Sequence, residues 1–301
     1  MSFNEECFKL IKGLLDEIAD LVEDCKKPAE SINRCRLVPC HWLIDIANPI
    51  LEGRFATIRA AGGVGKSTLI KDMIYSIGQA ERVLGLAPYT THLILVNERD
   101  EEIPWYDEVN ARKMSYSLAS HGLVDESVHL VKVLREIVIA VKDAALGNKR
   151  VVLFIDSLTR VYESLTTYFT GTIEPGGIFS DAFRKLHALT GSIYGFYEGG
   201  GSITIVGSLL MNDDSEKAGV YSALANRLGA STSCDIVLDK EVMLFPKISS
   251  ESKVRLMSRK IEVGNYVDYE DSVIKFWKEY DPDRIAQYGI EYKEKKKTRK
   301  K

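Results

Sequence analysis

The feature that most constrains the fold is a glycine-rich segment, Ala-Ala-Gly-Gly-Val-Gly-Lys-Ser-Thr, at residues 60–68. It follows an apolar run at residues 55–60 that is typical of a buried strand, and a helical pattern runs from about residue 66 to residue 80. In such a strand–loop–helix unit, small residues let successive backbone N–H groups face a phosphate, and the helix adds its positive N-terminal end. The segment therefore predicts a nucleotide-binding loop.

Individual residues of this loop have distinct expected roles. Lys66 is expected to reach the β- and γ-phosphates of ATP, and Ser67 is expected to hold Mg²⁺. Ala60 replaces the first glycine of the usual pattern G-x-x-x-x-G-K-[ST]. The predicted nucleotide-binding residues are Ala61, Gly62, Gly63, Val64, Gly65, Lys66, Ser67 and Thr68.

Strand-like and helix-like segments alternate beyond the loop. Apolar runs rich in β-branched residues indicate strands at residues 55–60, 91–98, 151–156 and 202–210. Amphipathic patterns indicate helices at residues 127–146 and 178–190, and two short runs at 235–238 and 242–245 resemble a closing pair of strands. This alternation predicts an α/β fold with a twisted, mostly parallel sheet that is flanked by helices.

The chain divides into three predicted segments. Residues 1–45 form a helical N-terminal segment, because apolar residues recur every three or four positions until Pro28 ends the pattern. Residues 46–250 form the core, and residues 251–301 form a C-terminal segment with a basic tail. The last nine residues carry seven basic side chains and one acidic side chain, which is typical of a solvated end or of a contact with RNA or an acidic partner.

Two acidic residues close predicted strands. Asp156 ends the strand at 151–156, where its charge would meet Mg²⁺ through water; the alternative is that it caps the next helix. Glu98 closes the strand at 91–98 and is placed to orient or deprotonate an attacking water. Together with Lys66, these residues predict a site that hydrolyses a nucleoside triphosphate.

Composition and patterning exclude some classes of protein. No run of about 18 or more uncharged apolar residues occurs, and Glu5 and Glu6 lie where a signal peptide would be basic and then apolar. Five cysteines without a C-x-x-C pair fit reduced thiols in a cytoplasm-like compartment. We therefore expect a soluble protein that is not secreted and has no membrane partner.

Four segments together resemble transcription termination factor Rho, at residues 61–67, 96–102, 154–160 and 175–178. Rho-type proteins also have alanine in place of the first glycine, followed by Asp-Glu-Arg-x-Glu-Glu and Leu-Asp-Ser-Ile-Thr-Arg strand ends in the same order. In size and plan the chain is more similar to the RNA-packaging ATPase of the cystoviruses, the double-stranded RNA bacteriophages, which has a Rho-like motor core. The resemblance covers about residues 43–245 and implies a RecA-type core.

This resemblance implies a homohexameric ring that hydrolyses ATP with Mg²⁺ and pulls single-stranded RNA through its centre. Arg227 matches the position that supplies a cation to the neighbouring subunit's phosphates, although Rho's own arginine position falls on Lys240 and an ordinary surface helix would also explain Arg227. Lys217 matches the basic residue of an RNA-contacting lever loop. Arg184 and Lys185 are a second candidate RNA contact, or a solvated basic pair.

The preferred biological role is viral genome packaging, with procapsid or capsid proteins as partners and a location in the inner capsid of the virion and the host cytoplasm. A cellular Rho-like terminator, which would be cytoplasmic, is one alternative, although the 40–45 residues before the core are too few for a five-stranded RNA-binding barrel. A RecA-type DNA recombinase and a nucleotide-binding regulator without motor activity are two others.

Overall fold

The computed structural model describes residues 3–26, 37, 40–78, 89–98, 103–107, 112–117, 126–169, 171–211, 218–242 and 246–254. Backbone contacts divide the chain after Arg259, and all described residues lie on the N-terminal side of this division. The predicted division into residues 1–45, 46–250 and 251–301 stays a prediction. Among the described helices, none combines the length and the apolar character that crossing a membrane requires.

Seven α-helices and eight strands are described in this part of the chain. The helices are α1 (Phe3–Cys25), α2 (Trp42–Ala47), α3 (Lys66–Ile77), α4 (Glu126–Ala145), α5 (Leu158–Tyr168), α6 (Ser180–Ile193) and α7 (Ala218–Ser231). The strands are β1 (Phe55–Ala60), β2 (Tyr89–Glu98), β3 (Arg112–Ser117), β4 (Arg150–Asp156), β5 (Gly195–Phe196), β6 (Ser202–Leu210), β7 (Cys234–Val237) and β8 (Lys253–Val254). Short 3₁₀ helices span Ile103–Tyr106 and Glu198–Gly200.

All eight strands form one sheet. Its order is β3-β2-β4-β6-β1-β7-β8, with β5 beside β6. Only the β5–β6 and β7–β8 pairs are antiparallel among these described strands. The side chains of β1 are all buried, as are those of β6 up to its last residue, which is the burial expected for parallel strands covered on both faces. The predicted α/β fold with a mostly parallel sheet flanked by helices is confirmed.

Two hydrophobic clusters cover the two faces of the sheet. Alternate residues of β1 point to opposite faces, so Ala56 and Ile58 pack with α3 while Phe55 joins the cluster on the other face. The α3 cluster includes Leu69, Ile70 and other apolar residues of that helix. The opposite cluster contains residues of α1, α4, α5, α6 and α7.

The N-terminal helix packs on α4. Its predicted apolar stripe points inward, with Cys7, Ile11 and Ile18 buried, and Ile11 and Ile18 belong to the same cluster as α4. An ion pair between Glu17 and Lys142 joins the two helices at 2.6 Å. The helix is therefore part of the same compact unit as the sheet.

One predicted strand pair differs in the structure. The partner of β7 is β8, through Cys234–Val254 and Asp235–Lys253, and not the run at 242–245, of which only residue 242 is described. An isolated bridge between Leu238 and Ile248 continues this pairing. Residues 243–245 lie outside the described residues, so a strand at 242–245 stays a prediction.

Candidate nucleotide-binding site

The glycine-rich loop connects β1 to α3 as the sequence predicted. Gly65 precedes α3 with a backbone φ of 105°, and Gly63 has a φ of 72°. Both conformations favour glycine, because a Cβ atom is strained there. Gly62 and Gly63 are exposed to solvent, so the backbone N–H groups of the loop can approach a phosphate at the N-terminus of α3.

Asp156 lies at the end of β4 beside this loop. The hydroxyl of Ser67 donates to its Oδ2 atom at 3.2 Å, and the residue is only 1% exposed. An oxygen donor pair of this kind suits Mg²⁺, which takes few protein ligands and completes its shell with water and phosphate oxygens. Among the described residues there is no group of three or more acidic, histidine or cysteine side chains that could hold a metal. The Ser67–Asp156 pair fits magnesium held together with a nucleotide.

The alternative role of Asp156, as the cap of the next helix, is wrong. Ser157 caps α5, and its hydroxyl accepts a hydrogen bond from the backbone N–H of Arg160 at 3.4 Å. The Asp156 carboxylate instead contacts Ser67, at the end of the glycine-rich loop.

Two residues that the sequence did not indicate also contact Asp156. Ser208, on β6, donates its hydroxyl hydrogen to Oδ1. Tyr106, in the 3₁₀ helix after β2, lies 3.4 Å from Oδ2 and also 3.4 Å from the backbone carbonyl oxygen of Ser67. An expected position for Ser208 follows from the sheet order, since β6 separates β4 from β1, but that order is not readable from local patterns.

The end of β6 is hydrogen-bonded to α5 and to the last residue of β1, where the nucleotide loop begins. The Leu210 N–H donates to the Thr159 hydroxyl at 2.9 Å, and the Met211 N–H donates to the carbonyl oxygen of Ala60 at 2.8 Å. The segment that follows, residues 212–217, contains the predicted RNA contact Lys217 and lies outside the described residues.

Glu98 is the last residue of β2. In the parallel pairing of β2 with β4, Leu95 lies opposite Asp156, so the backbone of Glu98 extends three residues beyond that level. The register of β2 with β3 shifts between Leu95 and Glu98, an irregularity that often re-aims a side chain at a strand end. The side chain of Glu98 lies outside the described part of the structure, so its catalytic role stays a prediction.

Arg227 lies on α7, which packs on the face of the sheet opposite to α3. Its guanidinium group forms an ion pair with Glu174 of the same chain and lies 5.5 Å from the ring centroid of Phe183. The loop that carries Glu174 turns through Gly176 and Gly177, which have φ values of 105° and 80°. Arg227 is therefore on a helix that lies across the sheet from α3, the helix that follows the nucleotide loop.

Of the other predicted cations, Arg184 lines the same cavity as Arg227. Arg184 is exposed on α6 and pairs with Asp181, while the Lys185 ammonium lies 5.8 Å from the ring centroid of Phe169. Lys240, the alternative to Arg227, is exposed in the turn after β7. Because β7 runs parallel to β1, this turn is at the same edge of the sheet as the nucleotide loop. RNA contact by Arg184 and Lys185 stays a prediction.

A buried polar network joins β1 to β7 and α7. Arg59 donates to both carboxylate oxygens of Asp235, at 2.8 and 2.7 Å, and to the side-chain oxygen of Asn226 at 2.8 Å. Thr57 donates to Asp235 at 2.9 Å. The network connects the strand that ends in the nucleotide loop with the helix that carries Arg227.

A second polar contact links α5 to α7. The Tyr221 hydroxyl donates to Glu163, which also pairs with Arg160 at 2.7 Å. Burial raises the pKa of Tyr221, and the hydrogen bond and negative charge of Glu163 raise it further, so the hydroxyl stays protonated at neutral pH. Tyr221 lies in the first turn of α7. Arg160 lies in the first turn of α5, the helix that begins directly after Asp156 and Ser157.

Comparison with known proteins identifies relatives of this fold and site. No protein-family model matches the chain. Transcription termination factor Rho of Borreliella burgdorferi is 24% identical over 247 residues, which are 76% of this chain and 45% of that protein. The flagellum-specific ATP synthase of Rhizobium meliloti is 28% identical over 226 residues, 72% of this chain and 45% of that protein. The chain thus spans less than half the length of these curated relatives.

A solved structure supports the same relationship at the level of the fold. A prototypical ATPase from the type III secretion system of pathogenic bacteria matches with a TM-score of 0.62 and 20% identity, over 77% of this chain and 66% of that chain. Sequence and fold together make the chain a distant homologue of Rho and of the flagellum-specific ATP synthases, with the fold of a RecA-type P-loop ATPase.

Proposed function

We propose that the chain binds Mg²⁺ and ATP at the loop between β1 and α3 and hydrolyses the nucleotide. The observation that carries this proposal is the contact between the Ser67 hydroxyl and the buried Asp156 carboxylate, at the edge of a glycine-rich loop. Lys66 and the backbone of residues 61–68 would hold the phosphates, and Ser67 and Asp156 would hold the metal. Bound Mg²⁺ would neutralise charge that develops on the phosphate oxygens.

Glu98 is the proposed group that orients the attacking water. Its place at the end of β2, next to β4 in the sheet, supports this role because parallel strands present their carboxyl ends to the same edge. A carboxylate there can accept a proton from water as the water attacks the γ-phosphorus.

We further propose that the chain acts as a homohexameric ring that moves single-stranded RNA. The Rho resemblance and the Rho relatives support this step. Arg227 would act on the nucleotide of the neighbouring subunit, and the position of α7 across the sheet from α3 supports action in trans. Its present partner, Glu174, would then be exchanged for a phosphate. Lys240 is the alternative cation.

RNA would contact Lys217, with Arg184 and Lys185 as a second contact. A lysine ammonium on a flexible stem suits a moving backbone, because it binds phosphate without reading sequence. The hydrogen bonds of Leu210 and Met211 support a connection between the nucleotide site and residues 212–217, since they tie the start of that segment to α5 and β1.

The finer role that we propose is packaging of a viral RNA genome, with procapsid or capsid proteins as partners and with a location in the virion and the host cytoplasm. It rests on the resemblance to the cystoviral packaging ATPases. A cytoplasmic Rho-like terminator and a RecA-type DNA-binding ATPase are the competing roles. Among the relatives, the Rho proteins favour the terminator.

Strand displacement distinguishes the two roles that act on RNA from the DNA-binding role. We expect particles with the mass of six chains that displace RNA from a duplex carrying a single-stranded RNA tail and leave a DNA equivalent intact. Preference for DNA, together with filaments, would favour the recombinase role, and a monomer that displaces neither strand would contradict the motor. Lys217→Ala is expected to keep basal hydrolysis and impair RNA displacement, whereas Lys149→Ala, a substitution away from the loop end of the sheet, is expected to change neither.

A further inference from the structure

Tyr106 lies beside the proposed metal-binding residues but has no role in the hydrolysis proposed above. Its ring is 2% exposed and packs in the hydrophobic cluster of α3, with Leu69 and Ile70. Its hydroxyl emerges from that cluster at the metal-binding pair, 3.4 Å from Asp156 Oδ2 and 3.4 Å from the carbonyl oxygen of Ser67. A ring held in the core gives the hydroxyl little freedom to move away from these atoms.

The hydroxyl acts as a donor at this place. A carboxylate and a backbone carbonyl both accept hydrogen bonds and cannot donate them, so the Tyr106 O–H is the group that supplies the proton. At 3.4 Å, longer than the usual 2.7–2.8 Å for O–H···O, one hydrogen is shared between the two acceptors. Hydrogen bonds to an ionised carboxylate are stronger than neutral ones, so a small movement of Asp156 toward the hydroxyl is favourable.

The two oxygens of Asp156 therefore have separate protein donors. Ser208 donates to Oδ1, while Tyr106 and Ser67 face Oδ2. The donors come from β6, from the 3₁₀ helix and from the start of α3, so the plane of the carboxylate is held from three elements. Removal of the Tyr106 hydroxyl leaves Oδ2 with Ser67 alone, the residue that is also expected to bind the metal.

We propose that Tyr106 is a positioning residue that orients the Asp156 carboxylate and the first turn of α3 for Mg²⁺–nucleotide binding. This inference rests on the proposed nucleotide site. The 3₁₀ helix that carries Tyr106 follows β2, the strand that ends at Glu98. Tyr106 thus belongs to the chain segment that begins at the predicted water-orienting residue.

The test measures how Mg²⁺ changes the affinity for a fluorescent ADP, with the full chain and without hydrolysis. Wild-type protein is expected to bind the probe more tightly in Mg²⁺ than in EDTA. Tyr106→Phe keeps the ring and is expected to bind equally in EDTA, but about three- to tenfold more weakly in Mg²⁺, the size of one ordinary net hydrogen bond. Tyr75→Phe, on the exposed side of α3, is the matched control and is expected to behave as wild type.

Other outcomes overturn the inference in distinguishable ways. If wild-type affinity responds to Mg²⁺ and Tyr106→Phe responds equally, the positioning role is wrong while the nucleotide site stands. Equal weakening of Tyr106→Phe in Mg²⁺ and in EDTA, with a lower melting temperature, identifies a packing role only and also overturns the inference. A wild-type protein whose ADP affinity ignores Mg²⁺ would overturn both the inference and the proposed function.

Discussion

At the scale of single residues, the site is centred on one buried carboxylate. Placing an ionised carboxylate out of water costs several kcal/mol unless hydrogen bonds or cations compensate. Asp156, at 1% exposed, has hydroxyl donors from Ser67 and Ser208 and a third at longer range from Tyr106. Hydroxyl groups satisfy the oxygens without neutralising the charge, so the carboxylate keeps its attraction for a cation.

Glu98→Gln separates binding from hydrolysis at this scale. The amide keeps the size of the side chain and removes its ability to accept a proton, so we expect ATP affinity within about twofold of wild type and hydrolysis lower by roughly 10²- to 10⁴-fold. Equilibrium binding of a fluorescent ATP analogue and steady-state phosphate release measure the two effects. Lys66→Ala is the comparison, and we expect it to lose binding as well. Equal loss of binding in both variants would contradict the role of Glu98.

Sequence patterns identified part of this site in advance. The glycine-rich loop and Asp156 were predictable because each combines a residue type with a strand end, which is a local pattern. Tyr106 and Ser208 were not, because their roles depend on which strands are neighbours and on where a buried ring directs its hydroxyl. Arg227 was proposed only through family resemblance and its role stays a prediction, while its pairing with Glu174 could not be read from residues 53 positions apart.

At the scale of the elements, buried polar contacts fix the strand and helix that flank the nucleotide loop. Arg59 is next to the last residue of β1 and is 9% exposed, and Asp235 of β7 accepts from it through both carboxylate oxygens. Asn226 of α7 holds the same guanidinium. Because the charged Arg59 guanidinium is buried, the loss of its Asp235 partner is expected to destabilise the protein.

Asp235→Asn is expected to lower the free energy of unfolding by about 3 kcal/mol, because a buried guanidinium is then left without its counterion. Denaturation in urea, followed by circular dichroism, measures the change. Glu241→Gln removes a carboxylate that is exposed in the turn after β7 and is the control, with an expected change of less than about 0.5 kcal/mol. A loss below about 1 kcal/mol in Asp235→Asn would show that the network contributes little.

Alanine substitutions at two glycines are expected to change the free energy of unfolding in opposite directions. Gly13 lies within α1, and a Cβ atom there would have no neighbour within 4 Å, so Gly13→Ala should stabilise the protein by about 0.5–1 kcal/mol. At Gly207 of β6, a Cβ atom would lie 2.1 Å from Leu158 Cδ1, so Gly207→Ala should destabilise by about 1–3 kcal/mol. Urea denaturation of both variants checks the signs. The same sign for both would contradict this account of their packing.

Much of the element pattern was predictable, for physical reasons. The bounds of β1 and β6 follow from short β-branched runs that are buried on both faces, and α1 follows from a regular apolar stripe. Sequence patterns did not indicate β3 or α5. α5 begins directly after β4, and the sequence alone leaves open whether Asp156 or Ser157 caps it. The structure shows that Ser157 is the cap. The β7–β8 pairing depends on a distant segment.

At the scale of the whole molecule, the central claim is that ATP hydrolysis moves RNA through a ring of subunits. If Arg227 acts in trans, a subunit that lacks Arg227 and a subunit that lacks Lys66 can form a complete site together. Rings of Arg227→Ala alone and of Lys66→Ala alone are therefore expected to be inactive, and mixed rings are expected to regain part of the hydrolysis. Full hydrolysis by Arg227→Ala rings alone would contradict the role and favour Lys240.

The most direct measurement of the central claim is steady-state ATP hydrolysis by the wild-type chain with and without RNA. We predict that single-stranded RNA stimulates hydrolysis several-fold, that single-stranded DNA of the same length stimulates it less, and that Lys66→Ala shows no hydrolysis with either. A matched-length RNA duplex without a single-stranded tail is expected to give the unstimulated rate. Hydrolysis at the same rate with and without single-stranded RNA would contradict the account.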